Sequence, residues 1–281
     1  MGKGCFFMRG RIIVSGGGGL LALPTDGAPV RARLEGAGPL CARGGAVYCA
    51  CPGERVIWRL DARTLTPAGL FAGGPGMRAL LASADGERLY ALCADADSLL
   101  MLDGATGAPL ALNRVGVNPG ALAADETGGV LAVAGGECAR TVLLCARTLD
   151  VLTSLPTAGV AVDVAIGGGA VYTLCLTETL RACLTVFLPG GTRRELTLEG
   201  TPGALCLSRK GLLAATEGRL YAIAADGSRV LAYRDAPGRA SRLLCMGGEC
   251  LLLDEWSGTL LRRRRGRWLR ETDGVRDMAP A

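Results

Sequence analysis

Short hydrophobic runs recur along this chain at a nearly constant interval, and each run follows a glycine-rich or polar turn. Successive runs start 35, 42, 42, 40, 42 and 38 residues apart. A period of about 40 residues indicates an array of similar structural units. The seven runs are RIIVS from Arg11, AVYCAC from Ala46, RLYALC from Arg88, VLAVAG from Val130, AVYTLC from Ala170, LLAATE from Leu212 and CLLLDE from Cys250.

The third unit shows that each repeat contains four short strands. Here GMRALLAS, RLYALC, SLLMLD and APLALNRV follow one another, with turns at residues 84–87 and 104–107. Asp-Gly and Gly-rich turns between apolar runs are typical of β-hairpins. Four antiparallel strands per repeat form one blade of a β-propeller, and continuous apolar runs fit strands that are buried between blades. We therefore predict an all-β, seven-bladed propeller with almost no helix.

The two ends of the repeat array complement each other. The first unit lacks an inner strand before Arg11, whereas the last ends with a surplus strand-like segment, GVRDMAPA, from Gly274. We expect this segment to join the first blade and to pair with the strand containing Ile12 and Ile13, because closure removes exposed sheet edges. The predicted division is an N-terminal extension, residues 1–10, and one propeller domain, residues 11–281.

Composition restricts the chemistry that this fold can carry. The chain has no His, which excludes a Ser-His-Asp triad, a His-bound zinc and a His general base. The net charge of +5 is modest and does not by itself indicate a nucleic-acid partner. Most of the 12 Cys lie in apolar runs, so we expect buried free thiols and a reducing, cytoplasmic location. No run of 18 apolar residues occurs, so no transmembrane segment is predicted.

The repeat has a recognisable form: Pro-x-x-apolar, a glycine turn, apolar-Tyr-apolar, and Asp-x-x-Thr between two strands. Instances are Pro119 to Leu122, Arg88 to Tyr90, Asp61 to Thr64 and Asp103 to Thr106. Over residues 11–281 the chain resembles the propeller family named for its Tyr-Val-Thr-Asn repeat, which is related in fold to the lactonase-like propellers. That tetrapeptide reads Tyr90-Ala-Leu-Cys93 and Tyr172-Thr-Leu-Cys175 here. The resemblance implies the fold and says little about the ligand.

Charged residues at the predicted inner strands are the candidates for a binding site at the mouth of the channel. Asp163 interrupts the apolar strand GVAVDVAI, and a carboxylate there needs a compensating partner. We expect it to pair with an Arg of another inner strand. The alternative is a charged channel that holds an anion, a sugar or a cation. The candidate ligand-binding residues are Asn118, Asp163, Arg239, Arg242, Arg276 and Asp277.

The lactonase-like resemblance adds a metal-dependent alternative. Propellers of the metal type hold a divalent ion with channel carboxylates and Asn, and oxygen ligands suit calcium or magnesium. In this chain Asp163, Asn118 and Asp277 would fill that role. No Glu at the start of the first blade matches the family pattern, so we predict no cofactor in the preferred interpretation.

Two further sets of charged residues lie away from the inner strands. The segment from Arg262 to Arg270 predicts a basic rim for phosphates, nucleic acid or anionic lipid, or alternatively a solvated hairpin around Gly266. The basic-rim residues are Arg262, Arg263, Arg264, Arg265 and Arg267. Acidic residues in the predicted outer loops on the channel-mouth side are Glu54, Asp95, Asp97, Glu137, Glu178, Glu217, Asp254 and Glu255.

Three functional hypotheses follow from these patterns. The preferred one is a non-catalytic binding or scaffold propeller that engages a protein or a small ligand at its channel mouth or rim. The second is a lactonase-like hydrolase with a channel-bound divalent metal. The third, less favoured, is a protein whose basic rim docks on nucleic acid or on a membrane surface.

Overall fold

Each apolar run of the repeat forms a β-strand, because its aliphatic and aromatic side chains are covered on the two faces of a sheet. The computed structural model describes residues 11–280 except 17, 24–27, 126, 209–210, 247–248, 255 and 265–266. Within these residues, 28 strands pair into seven antiparallel sheets of four strands each. The helical element there is one 3-10 turn, Ala94–Ala96. The predicted seven-bladed propeller is confirmed, whereas the predicted N-terminal extension lies outside the described residues.

The blades are numbered from the amino terminus, and each is given from its inner to its outer strand. Blade 1 contains β28 (Val275–Pro280), β1 (Ile12–Gly16), β2 (Gly19–Leu23) and β3 (Val30–Ala32). Blade 2 contains β4 (Leu40–Arg43), β5 (Ala46–Cys51), β6 (Val56–Asp61) and β7 (Pro67–Ala72). Blade 3 contains β8 (Met77–Ala82), β9 (Arg88–Cys93), β10 (Ser98–Asp103) and β11 (Pro109–Arg114).

The remaining four blades follow the same order of strands. Blade 4 contains β12 (Ala121–Ala124), β13 (Val130–Ala134), β14 (Arg140–Cys145) and β15 (Val151–Pro156). Blade 5 contains β16 (Val160–Gly167), β17 (Ala170–Leu176), β18 (Ala182–Phe187) and β19 (Arg193–Leu198). Blade 6 contains β20 (Pro202–Ser208), β21 (Gly211–Thr216), β22 (Arg219–Ile223) and β23 (Val230–Asp235). Blade 7 contains β24 (Ala240–Met246), β25 (Glu249–Asp254), β26 (Leu260–Arg264) and β27 (Arg267–Thr272).

The ring is closed by the last strand of the chain. Strand β28 pairs antiparallel with β1, with Ile12 opposite Pro280 and Ile13 opposite Ala279. The predicted closure is therefore confirmed. Inner strands of neighbouring blades then pack against one another around the whole ring, including β28 against both β4 and β24.

Three tyrosines that share a place in the repeat join neighbouring blades. Each is buried in the second strand of its blade and donates a hydrogen bond to the turn between the third and fourth strands of the next blade. Such a bond contributes about 1 kcal/mol and satisfies a hydroxyl that the core would otherwise leave unpaired. The hydroxyls of Tyr48, Tyr90 and Tyr172 lie 2.8, 2.6 and 2.6 Å from the carbonyl oxygens of Gly104, Ala146 and Ala225.

The cysteines act mainly as core residues. The eleven described cysteines are free thiols, six of them buried and five half-buried. Burial raises the pKa of the Cys93 and Cys175 thiols and raises that of Cys183 to about 11. Cys5 lies outside the described residues. In the described part of the chain, no helix is long and apolar enough to cross a bilayer.

Candidate binding site at the channel mouth

A β-bulge near the start of an inner strand brings one extra residue to the channel mouth in five of the blades. Bulges re-aim a side chain and occur often beside binding sites. The five extra residues follow from the register shifts of β8, β16, β20, β24 and β28. They are Arg78, Val162, Gly203, Ser241 and Arg276, and all of them line the same cavity.

That cavity has a volume of about 820 Å³ and is lined by residues from every blade. Blade 2 contributes Gly36, Gly38, Pro39, Pro52 and Gly53, blade 3 contributes Arg78 and Ala79, and blade 4 contributes Gly120 and Ala121. Blade 5 contributes Val162 and Asp163, blade 6 contributes Gly203, blade 7 contributes Arg239, Ala240, Ser241 and Arg242, and blade 1 contributes Arg276 and Asp277. A cavity of this size and central position is typical of small-molecule sites.

The charges of the mouth are distributed unevenly around the ring. The four arginines come from blades 7, 1 and 3, which lie on the two sides of blade 2; we call them the arginine arc, defined by Arg78, Arg239, Arg242 and Arg276. Blades 4, 5 and 6 contribute small or apolar residues and one carboxylate, Asp163. The arginines of the mouth therefore lie on one side, and the other side has one carboxyl and no cation.

Asp277 is the most completely bonded carboxylate of the mouth. It is 4% exposed, and its two oxygens lie 2.7 and 3.2 Å from Nε and Nη2 of Arg242, so the pair is bidentate. The backbone amides of Leu40 and Met278 also donate to it, each at 2.9 Å. The charge of Asp277 raises the pKa of Arg242. One carboxylate thus connects blades 7, 1 and 2 at the point where the ring closes.

Asp163 occupies the same position in blade 5 and makes the same two backbone bonds. The amides of Val164 and Leu205 donate to its oxygens at 2.9 and 2.7 Å. No described Arg or Lys is within ion-pair distance of it, so the predicted Asp163–Arg pair is wrong. The reason is distance around the ring, because Arg242 reaches Asp277 on the adjacent blade and acts on Asp163 only through its charge. Burial raises the pKa of Asp163.

Asn118 belongs to a loop that supports the mouth rather than to the mouth itself. It is exposed, has a positive φ of 51°, and is not among the residues that line the cavity. Its backbone amide donates to Asp97 at 2.9 Å, and its side-chain amide donates to Glu137 at 3.4 Å. These bonds hold the loop between blades 3 and 4.

Several acidic residues of the outer loops have similar supporting contacts. Glu217 accepts a bond of 2.9 Å from the Thr201 hydroxyl, and Asp254 accepts one of 3.0 Å from the Arg239 backbone amide. Five acidic residues of these loops are exposed and do not line the cavity. We call them the acidic ring, defined by Glu54, Asp95, Glu137, Glu178 and Glu217, which lie in blades 2 to 6. Glu255 lies outside the described residues.

The basic rim is partly neutralised by acidic residues of the same blade, Glu249 on β25 and Glu271 on β27. Arg262 is buried and makes ion pairs with Glu249 and Glu271, and Arg264 pairs with Glu249 at 2.7 Å. Arg263 and Arg267 have no ion pair within the described residues, and Arg265 lies outside them. The segment is therefore not a continuous surface of free positive charge.

The residues present do not fit the divalent-metal site that the lactonase-like resemblance implies. Asp163 and Asp277 lie on blades that are not neighbours, and both oxygens of each already accept backbone protons. Asn118 is outside the cavity lining. Among the residues that the structure describes, no group of three or more His, Cys, Asp or Glu side chains is arranged to hold a metal ion.

A second groove, of about 570 Å³, lies between the outer strands of blades 5 and 6. Its charged groups are already engaged with each other, since Arg219 pairs with Glu199. The Arg219 guanidinium also lies over the Tyr233 ring, 5.1 Å from its centroid. This groove therefore offers a ligand no free charged group, and the channel mouth is the better candidate site.

Comparisons with known proteins bear on the fold. No family model matches the chain, and no curated protein matches it. A putative 6-phosphogluconolactonase from Bacteroides uniformis is similar in structure, with a TM-score of 0.75 at 11% identity, over 95% of this chain and 98% of that one. BamB from Moraxella catarrhalis gives a TM-score of 0.64 at 16% identity, over 87% and 79%. Streptogramin B lyase gives 0.67 at 13% identity, over 84% and 83%.

At these identities the likeness shows the fold alone. The chain is a seven-bladed β-propeller, and the solved propellers that it resembles differ in their described functions. Evidence on function therefore has to come from the residues of the channel mouth.

One charged residue of the mouth, Arg78, was not among the residues predicted from the sequence. Its signal was present, because Gly76-Met77-Arg78 and Gly274-Val275-Arg276 have the same pattern at the start of two inner strands. Aligning those two segments assigns Arg78 to the same bulge position as Arg276.

Proposed function

We propose that this chain is a non-catalytic binding propeller that holds its ligand in the channel mouth. The observation that supports this most is the cavity of about 820 Å³, to which all seven blades contribute. The carboxylates of the mouth, Asp163 and Asp277, are engaged with backbone amides or Arg242 and serve to hold inner strands together. The groups left for a ligand are hydrogen-bond donors and cations, which bind and orient.

We also propose that the repeat unit is related to that of the Tyr-Val-Thr-Asn repeat family and of the lactonase-like propellers. We also propose a reducing, cytoplasmic setting, supported by the free thiols that fill inter-blade positions. The binding site itself does not depend on either statement.

The test is a binding screen that compares an open mouth with a blocked one. Ser241 is exposed in the mouth, so Ser241→Trp would fill the cavity from the bulge of blade 7. Native mass spectrometry with neutral, cationic and anionic metabolites should find at least one ligand for the wild type that Ser241→Trp loses. The matched control is Ser154→Trp, on the exposed outer strand β15 of blade 4.

Two outcomes would contradict the proposal. One is a wild type that binds no compound of any charge class. The other is a ligand that binds wild type and Ser241→Trp equally. Turnover of a lactone by the wild type, lost in Ser241→Trp, would instead support the hydrolase interpretation.

A further inference from the structure

We infer that the ligand of the channel mouth is a small molecule with at least two anionic groups, carboxylate or phosphate, which bind to Arg78 and Arg276. This inference rests on the proposed function and adds the chemical class of the ligand. Both arginines occupy the same bulge position, in blades 3 and 1, and both line the cavity.

These two arginines differ from Arg242 in having no protein partner. Each is exposed, and neither makes a hydrogen bond or an ion pair within the described residues. Arg242, by contrast, is held by a bidentate contact with Asp277. Two exposed guanidinium groups without a described ion pair add no contact that stabilises the free protein. They do provide two planar donor groups that match carboxylate or phosphate geometry.

The charge of the mouth as a whole favours an anion. Leaving Arg239 aside, Arg242 and Asp277 offset each other, and the two positive charges of Arg78 and Arg276 exceed the single negative charge of Asp163 even when that carboxyl is ionised. Burial raises the pKa of Asp163, which weakens the negative side further as pH falls. A cleft with an excess of one sign of charge favours ligands of the opposite sign.

The surroundings of the mouth favour a small molecule over an acidic protein segment. The acidic ring of Glu54, Asp95, Glu137, Glu178 and Glu217 lies in the outer loops of blades 2 to 6, on the face where the mouth opens. An acidic peptide long enough to cross that face would meet this like charge, which is costly at an interface. A small anion fits within the cavity of about 820 Å³ and avoids the ring.

The side of the cavity opposite the arginine arc carries no cation, and this gives the ligand an orientation. Gly120, Val162 and Gly203 line this side on blades 4, 5 and 6, together with the Asp163 carboxyl, which would repel an anionic group. The anionic groups would therefore face blades 1 and 3, and the remainder of the molecule would face blades 4 to 6.

The experiment is isothermal titration of the full chain with two probes, citrate for carboxylates and pyrophosphate for phosphates. We expect one of them to bind, with acetate and spermidine as the monoanionic and cationic comparisons that bind more weakly. Arg78→Ala and Arg276→Ala should each weaken binding about tenfold or more, the loss expected for a charge-assisted hydrogen bond. Lysine at either position should recover part of the loss, because it restores the charge without the planar donor pair.

The matched control is Arg114→Ala, which removes an exposed arginine of outer strand β11 and changes the net charge equally. It should alter binding by less than about twofold. Because all three arginines are exposed and none has a described partner, the unfolding midpoints should stay close to that of the wild type.

The outcomes separate this inference from the proposed function. Binding that is equal in wild type, Arg78→Ala and Arg276→Ala would overturn the inference, as would failure of both anions to bind at millimolar concentration. If a neutral or cationic compound binds and Ser241→Trp abolishes it, the mouth is a binding site and only the inferred ligand class is wrong. If the same probe binds the wild type and binds neither the two arginine variants nor Ser241→Trp, both the proposed function and the inferred ligand class are supported.

Discussion

Blades 1 and 5 carry an aspartate at the same position of the inner strand, and the two side chains have different environments. Asp277 and Asp163 each accept one bond from the next residue's amide and one from the following blade's inner strand. Asp277 has in addition the bidentate partner Arg242, whereas Asp163 has no ion-pair partner within the described residues. The repeat position thus determines the backbone bonds, and the neighbouring blade determines whether the charge is compensated.

The largest expected difference between the two sites is in stability. Asp277→Ala removes a buried carboxylate, leaves the Arg242 charge without its partner and leaves two amides unpaired. We expect a loss of about 3 kcal/mol in the free energy of unfolding, reduced from the fully buried case because a third of Arg242 is exposed. Asp163→Ala leaves two amides unpaired but also removes a poorly compensated charge, so about 1 kcal/mol should be lost. Equilibrium unfolding in urea measures both.

A double-mutant cycle provides the control for this difference. Arg242→Met combined with Asp277→Ala should show a coupling of about 2 kcal/mol, whereas Arg242→Met combined with Asp163→Ala should be additive within about 0.5 kcal/mol. Equal losses from the two alanine variants, or equal couplings, would mean that Arg242 does not distinguish the sites.

A smaller difference should appear in the pH dependence of stability. Burial raises the pKa of Asp163 above the ordinary value of 3.8, so the folded protein keeps this proton in a range where the unfolded chain has lost it. Stability from this group therefore falls as pH rises through that range and is constant above it. The free energy of unfolding of the wild type, minus that of Asp163→Asn, should decrease as pH rises from below 3.8.

Urea unfolding at several pH values tests this, since the other carboxylates titrate in both proteins and cancel in the difference. If this difference in the free energy of unfolding rises with pH, the two amide bonds lower the pKa of Asp163 by more than burial raises it. NMR titration of the Asp163 carboxyl carbon would measure the direction of the pKa shift independently.

A third repeated position, the turn between the third and fourth strands, should affect the reactivity of a cysteine and hardly affect stability. Asp61 and Asp103 accept backbone and hydroxyl protons there in blades 2 and 3, and Cys145 takes the equivalent position in blade 4. The Thr148 hydroxyl and the amides of Arg147 and Thr148 lower the pKa of the Cys145 thiol. Among the described cysteines, Cys145 should react first with a thiol reagent near neutral pH.

Mass spectrometry after brief labelling identifies that thiol. Cys145→Ser should abolish the fast phase, and Thr148→Ala should slow it, with little change in the unfolding midpoint for either variant. Faster labelling of a buried thiol such as Cys93 would show that local opening, and not the turn, controls reactivity.

Most charged residues of the channel mouth could be predicted from the sequence. Five of the six predicted mouth residues line the cavity, because each falls in or just before an inner strand that the repeat had located. Asn118 does not, since its loop turns it toward Asp97 and Glu137. Arg78 was missed although it follows the same Gly-apolar-Arg pattern as Arg276.

By itself the sequence determined the number of blades, the position of the strands and the closure by the last segment. These features depend on local periodicity, on turns and on apolar runs that only a sheet between two neighbours can bury. The tertiary structure alone decided which charges are compensated. Arg242 and Asp277 are 35 residues apart, and Leu40 is 237 residues from Asp277, yet the closed ring brings all three together. Such contacts depend on the reach of side chains between blades, which a repeat period does not encode.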